Sequence, residues 1–163
     1  MILPAIARVE AALRVAGLQP EVIQLLESAR TAVDAATACG VGVGQIVKSL
    51  VFLAGEEPIL VLVSGSNQAD ERRLAVITGR PVRRADADTV RAATGFAIGG
   101  VPPLGHRRPL RVIIDRDLLG HSRLIAAAGT PHAVFPLTPD ELCRLTGGEV
   151  HEVKRAAAAG GGG

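Results

Sequence analysis

Apolar residues recur at two periods along this chain, and the switches between them mark out its elements. From Pro4 to Val15, the residues Ile6, Val9 and Leu13 fall on one face at helical spacing and Gly17 ends the segment, which predicts a first helix. After Pro20, the run Val22-Ile23-Gln24-Leu25 reads as a short strand. Thr31-Ala-Val-Asp34 is a capping start, whose hydroxyl and carboxylate can accept from free backbone N–H groups; its helix runs through Ala38 and stops near Gly40. Two long apolar runs follow. Ile46–Leu53 is apolar on both faces except at Lys48 and Ser49, and Ile59–Val63 is apolar throughout. The Ala-Gly-Glu-Glu-Pro between them suits a hairpin, and strands apolar on both faces belong in the middle of a covered sheet.

Ser64-Gly65-Ser66-Asn67 then forms a loop leading into a helix over Ala69–Thr78, and a further helix is predicted from Asp86 to Ala93. A Gly/Pro-rich loop, Gly99–Gly105, precedes a strand from Leu110 to Ile114 that ends at Asp115. Short strands over Leu124–Ala127 and Ala133–Phe135 and a helix from Thr138 to Leu145 complete the series. No segment repeats, so the alternation predicts one mixed α/β domain over residues 1–153. The Ala/Gly-rich tail, 154–163, has nothing to pack and is expected to be disordered.

Composition narrows this picture. With 163 residues, 48% hydrophobic and 21% charged, the chain is a globular domain able to bury its own core. It has three Phe and neither Trp nor Tyr, so the core is aliphatic, and the scarcity of aromatics argues against a base-stacking platform. The net charge of +2 permits a nucleic-acid partner without demanding one. Basic residues gather at Arg72-Arg73, Arg80, Arg83-Arg84 and His106-Arg107-Arg108, which serve equally as a solvated face. Cys39 and Cys143 stand far apart without a motif and read as reduced packing residues. The four His lack metal-ligand spacing, so no metal or cofactor is expected. No apolar run approaches a membrane span and the start carries no signal-peptide pattern, which makes a cytoplasmic location the expectation.

Three features bear on chemistry. Lys48 sits among core residues, where a bare ammonium is costly; either its stem snorkels outward or its charge faces a cleft and awaits an anion. In such a cleft it could bind a phosphate or polarise a carbonyl. Gly99–Gly105, with three Gly and two Pro, is stiff and closely approachable, as a ligand loop or an ordinary turn would be. Ser64-Gly65 at the end of a core strand suits an anion site or simple helix capping. His106 beside the glycine loop is a weaker candidate. There is no Gly-x-Ser-x-Gly elbow, hence no advertised nucleophile.

These features occur in a familiar order. The run Ala29–Ala36, then Gly40-Val41, then Gln45–Phe52 resembles the YbaK / prolyl-tRNA synthetase-associated editing domain family, as do Ala93–Gly105, Ile114-Asp115 and Ala128-Gly129. The resemblance spans roughly residues 5 to 150 and implies a mixed, partly barrel-like sheet flanked by helices. It further implies a free-standing hydrolase that removes a wrongly attached amino acid from tRNA, usually proline tRNA, with prolyl-tRNA synthetase as a possible partner. Lys48 matches the family's essential lysine, and Gly99, Gly100, Val101, Pro102 and Pro103 match the loop that cradles the aminoacyl group and positions water. Ser64, Gly65, Asp115, Thr31 and His106 are further candidates for substrate contact. Members that remove cysteine carry Ser where this chain has Pro102, which leaves Cys, Ala and other small residues open. A non-catalytic module that binds the tRNA end or a synthetase through the same cleft is the alternative.

Overall fold

The hairpin expected between the two apolar runs is the spine of the molecule. In the computed structural model, which describes residues 4–29 and 31–156, β2 (Ile46–Ala54) and β3 (Glu57–Ser64) pair antiparallel from Val47↔Ser64 to Ala54↔Glu57. Residues on opposite faces of β3 go to different cores. Leu60 and Leu62 pack with Val9, Leu13, Phe96 and Leu142, while Ile59, Val61 and Val63 pack with Phe52, Leu74 and Val153. Burial on both faces is what an unbroken apolar strand requires, and each such side chain contributes roughly 1.5–3 kcal/mol.

The remaining elements follow in chain order around this hairpin: α1 (Ala5–Val15), β1 (Ile23–Gln24), α2 (Ala32–Cys39), then α3 (Glu71–Thr78), β4 (Val82–Arg84), α4 (Ala87–Thr94), β5 (Arg111–Asp115), β6 (Leu124–Ala127), β7 (Ala133–Leu137), α5 (Pro139–Thr146) and β8 (Glu149–His151). Together they make a mixed α+β domain with one eight-stranded sheet, seven strands in the order β1-β7-β6-β2-β3-β5-β8 and β4 off this path, paired with β2. The pairings β2–β6, β3–β5 and β5–β8 are parallel. Capping decides several boundaries. The Thr31 hydroxyl accepts from the Asp34 N–H at 3.1 Å, and Thr138 and Glu141 form a reciprocal box at 2.8 and 3.1 Å. Asp70 caps α3, which starts two residues later than the apolar pattern places it.

The sheet forks at β2. Its first residues, Ile46 and Val47, pair with β6, and its last, Phe52 to Ala54, pair with β4 on the same side. Lys48–Leu50 lie between these partners, and a cleft opens there. β4 and β8 are absent from the sequence reading because both are three-residue strands rich in charge, without an apolar alternation to reveal them.

The first residues of the segment expected to be a tail, Lys154 and Arg155, make defined contacts. Lys154 bridges to Ala69, its Nζ donates to Asp117 Oδ2 at 3.0 Å, and Arg155 N–H donates to the Gln68 carbonyl at 2.7 Å. These are backbone and charge contacts, invisible to a test for apolar packing; the expectation for 157–163 falls outside the described residues. Among the described residues, no helix is long and apolar enough to cross a membrane.

β5 and β8 are tied by a bidentate pair in which Arg111 donates to Glu149 at 2.7 and 3.0 Å. That guanidinium holds the Glu149 carboxyl at about 2, below the ordinary 4.5. A carboxyl depressed by folding stabilises above its unfolded value, and here the gain is lost as pH falls from 4.5 towards 2. Both side chains are more than a third exposed, so the pair is worth no more than about 1 kcal/mol. Glu149→Gln should therefore lower the thermal midpoint at pH 7 by about 1–4 °C. The difference from wild type should vanish in melts at pH 2; an equal difference at both values would refute the pairing.

Candidate functional site

The fork in the sheet opens a cleft of about 530 Å³. Its floor is β2 from Ile46 to Leu50; its sides are the start of α2, residues 125–127 of β6, Thr130-Pro131, and the segment Ile98-Gly99 with Val101. Arg84 of β4 also lines it. Among the described residues lining it, the charged ones are Lys48 and Arg84, and none is acidic. Two cations thus share a largely aliphatic cavity.

Lys48 does not snorkel to open water. Its Nζ donates to the main-chain carbonyl of Asn67, at the base of the loop that follows β3. Burial lowers its pKa, the nearby Arg84 charge lowers it further, and Asp115 opposes both. An ammonium kept in these surroundings favours an incoming anion or a developing negative charge, which removes the repulsion. Next to it, the Ser49 hydroxyl oxygen is buried with no hydrogen-bond partner among the described residues. Orphaned polar atoms of this kind are rare in folded proteins.

The loop carrying Asn67 is held from below. Asp115, 1% exposed, accepts from the Ser64 N–H at 3.0 Å and from Asn67 Nδ2 at 2.9 Å. The Ser64 hydroxyl points away from the cleft and donates to the Gly44 carbonyl at 2.7 Å. A side chain at Gly65 would meet the Val43 carbonyl and the Ala32 and Ile46 side chains, so only glycine lets the strand end turn there.

The opposite wall depends on a close backbone approach. A Cβ at Gly100 would lie 2.5 Å from the Gly129 carbonyl oxygen and 2.7 Å from Thr130 Cα. Beyond it, Val101 to Leu104 are buried; Val101 reaches the cleft, while Pro102 and Pro103 turn into the protein. His106 stands behind this loop. Its Nε2–H donates to the Pro102 carbonyl at 2.6 Å, and burial pushes its pKa down, favouring the neutral ring.

Of the residues singled out from sequence, the fold brings Thr31, Lys48, Gly65, Gly99 and Val101 to the cleft wall. Gly100, Pro102, Pro103, Ser64, Asp115 and His106 lie one layer behind it and shape or hold that wall. Arg84, Ile98 and Thr130 line it without having been singled out. Arg84 was visible only as part of a basic cluster, and nothing in the local sequence distinguishes Thr130.

The sequence profile of the aminoacyl-tRNA editing domain matches residues 27–145. A protein of Enterococcus faecalis provisionally described as a Cys-tRNA(Pro)/Cys-tRNA(Cys) deacylase, EbsC, is 26% identical over 125 residues, 76% of this chain and 76% of the relative. A proline–tRNA ligase of Xanthomonas axonopodis pv. citri is 30% identical over 105 residues, which are 64% of this chain and 19% of the ligase. A solved structure, provisionally described as a trans-editing enzyme for prolyl tRNA synthetase, superposes with a TM-score of 0.90 at 47% identity, covering 96% of this chain and 100% of that one.

Proposed function

The chain belongs to the aminoacyl-tRNA editing domain family, and from that premise we propose that it hydrolyses, in trans, the ester joining a wrongly attached amino acid to the 3′ end of tRNA. The observation that carries this reading is the pairing of Lys48 and Arg84 in a cleft lined by no described carboxylate. Such a cleft suits a polyanion's end carrying a small apolar group.

In this mechanism the Lys48 ammonium anchors a terminal phosphate or the ester carbonyl, and Arg84 supplies a second positive charge to the nucleic acid. The backbone of Gly99 to Val101 bounds the aminoacyl group and positions a water. Water oxygen adds to the carbonyl carbon, the bond from that carbon to the ribose oxygen breaks, and a proton from the water passes to the departing ribose oxygen, giving free amino acid and deacylated tRNA. An aminoacyl ester is already activated, so positioning and charge stabilisation suffice without a covalent intermediate or a resident metal.

The aliphatic lining from Ile125, Ala126, Ala133 and Val134 favours a small side chain such as Cys or Ala. Proline tRNA is the proposed carrier and prolyl-tRNA synthetase the proposed partner, because relatives include a ligase and a trans-editing protein for that system. With charged tRNA as substrate, the cytoplasm is the proposed location of the activity. The test is release of amino acid from proline tRNA charged separately with Ala, Cys, Ser, Thr and Pro. Turnover of at least one small residue, with Pro-tRNA spared, is expected. Binding of the tRNA end without hydrolysis of any of the five would replace the enzyme with a recruiting module.

A further inference from the structure

Lysine is scarce in this chain: among its 18 basic residues only Lys48 and Lys154 are lysines. The two stand at opposite ends of one hydrogen-bonded network. Lys48 Nζ donates to the Asn67 carbonyl. The side chain of that same Asn67 donates from Nδ2 to Asp115 Oδ2 and to Asp117 Oδ2, each at 2.9 Å. Lys154 Nζ donates to Asp117 Oδ2 at 3.0 Å, and the Asp117 N–H donates to Asp115 Oδ1 at 3.0 Å. The backbone just beyond is clamped by the carboxy-terminal segment, where the Asp70 N–H donates to the Val153 carbonyl at 2.8 Å and Arg155 N–H to the Gln68 carbonyl at 2.7 Å.

Asn67 is therefore held by its side chain on one side and its carbonyl is left to meet Lys48. A lysine has a flexible four-carbon stem, and its ammonium is a point charge with no fork geometry of its own to fix direction. Something outside the side chain must aim it. We propose that Asn67 is the positioning residue for Lys48, aiming the ammonium into the cleft from a frame built by Asp115, Asp117 and Lys154. In this arrangement the carboxy-terminal segment belongs to the machinery of the site. The proposal rests on the deacylase reading only for its kinetic consequence; the geometry of Lys48 has a readout of its own.

That readout follows from the lysine count. In protein labelled with ¹³C-lysine, two side chains titrate. Lys48 should titrate below the ordinary lysine range because of burial, with Arg84 on β4 lowering it further and Asp115 on β5 opposing, and Lys154 should titrate above it because of Asp117. Asn67→Ala should move the Lys48 resonance towards that of a free lysine and lower kcat/KM for deacylation by about 10–100-fold, mainly through kcat. Asp115→Asn keeps the shape and removes the charge that favours the ammonium; the Lys48 midpoint and the alkaline limb of kcat/KM should fall together. Lys154→Met alters a half-exposed side chain outside the core clusters, and should give a smaller loss of about 2–5-fold with a measurable shift at Lys48. The proposal is overturned if Asn67→Ala and Lys154→Met both leave the Lys48 resonance where it is in the wild type. If the wild type hydrolyses no charged tRNA, the deacylase reading fails and the Lys48 resonance alone decides the positioning.

Discussion

Replacing Lys48 by Met should reduce kcat/KM on the best substrate of the charged-tRNA panel by at least about 10²–10³-fold, the usual cost of removing one preorganised charge from a reacting centre. The same substitution should leave the protein as stable as the wild type or more so. Burial and Arg84 both press the Lys48 pKa down, which means that folding disfavours its charge. A group with a depressed folded value adds stability above its unfolded value and loses it as pH falls through the folded one, so at neutral pH the Lys48 charge is a net cost. Met keeps most of the stem's volume and removes that cost. A retained fold, an unchanged or raised thermal midpoint and a collapsed rate would together mark Lys48 as a residue kept for function at the expense of stability. A Lys48→Met enzyme that turns over at the wild-type rate would remove Lys48 from the mechanism. A variant that melts well below wild type would show the ammonium to be a structural tie to Asn67.

Gly100→Ala should damage both the fold and the rate. The added carbon would sit 2.5 Å from the Gly129 carbonyl oxygen and 2.7 Å from Gly129 C and Thr130 Cα, all of them backbone atoms with no rotamer to yield. Gly129 cannot retreat, because its own position is set against the Ala5 backbone, where a Cβ would meet the carbonyl oxygen at 2.8 Å. The two loops must part, at a cost of roughly 1–3 kcal/mol, or about 2–12 °C in thermal midpoint for a chain of this size. Gly99, Val101 and Thr130 line the cleft on either side of this contact, so parting the loops also changes the cavity's width. The expected kinetic result is a loss in kcat/KM of about 10²-fold, of the order caused by a 1 Å misplacement. Gly99→Ala is a control with open room, since the nearest atom to its Cβ is a Pro131 side-chain carbon at 3.5 Å. Its positive φ of 93° brings backbone strain without loop separation. If Gly100→Ala is no worse than Gly99→Ala in both melting and rate, the close approach of the two loops does not govern the site.

The residues near Lys48 show how far the chain could be read without its structure. An ammonium in an otherwise apolar strand is a conflict visible in one dimension, but the strand alone leaves open whether the stem snorkels outward or the charge faces a cleft. Gly65 and Gly100 were likewise visible as glycines at strand and loop positions, though not what they touch. Pro102 was weighed as a pocket residue because it interrupts a motif, yet it is buried behind the wall, and His106 meets its carbonyl rather than the cavity. Arg84 is visible in the sequence only as one of a basic pair, for the converse reason: its neighbours Val82 and Arg83 make a polar edge strand whose place beside β2 depends on residues 30 positions away.

Local pattern determined what local physics controls. The period of apolar residues set which segments are helix and which strand, and Thr31, Asp86 and Thr138 set where three helices begin, because a cap acts within three residues of itself. The two-sided apolar character of β2 and β3 determined that they lie at the centre of the sheet. What only the tertiary structure decided is the fork at β2, the pairing of Lys48 with Arg84 across it, the side on which the two prolines turn, and the return of Val153–Arg155 to clamp the Asn67 loop. Each depends on which distant strand or segment fills a free edge. That choice is made by the whole set of packing and hydrogen-bonding demands at once, and no window of neighbouring residues contains it.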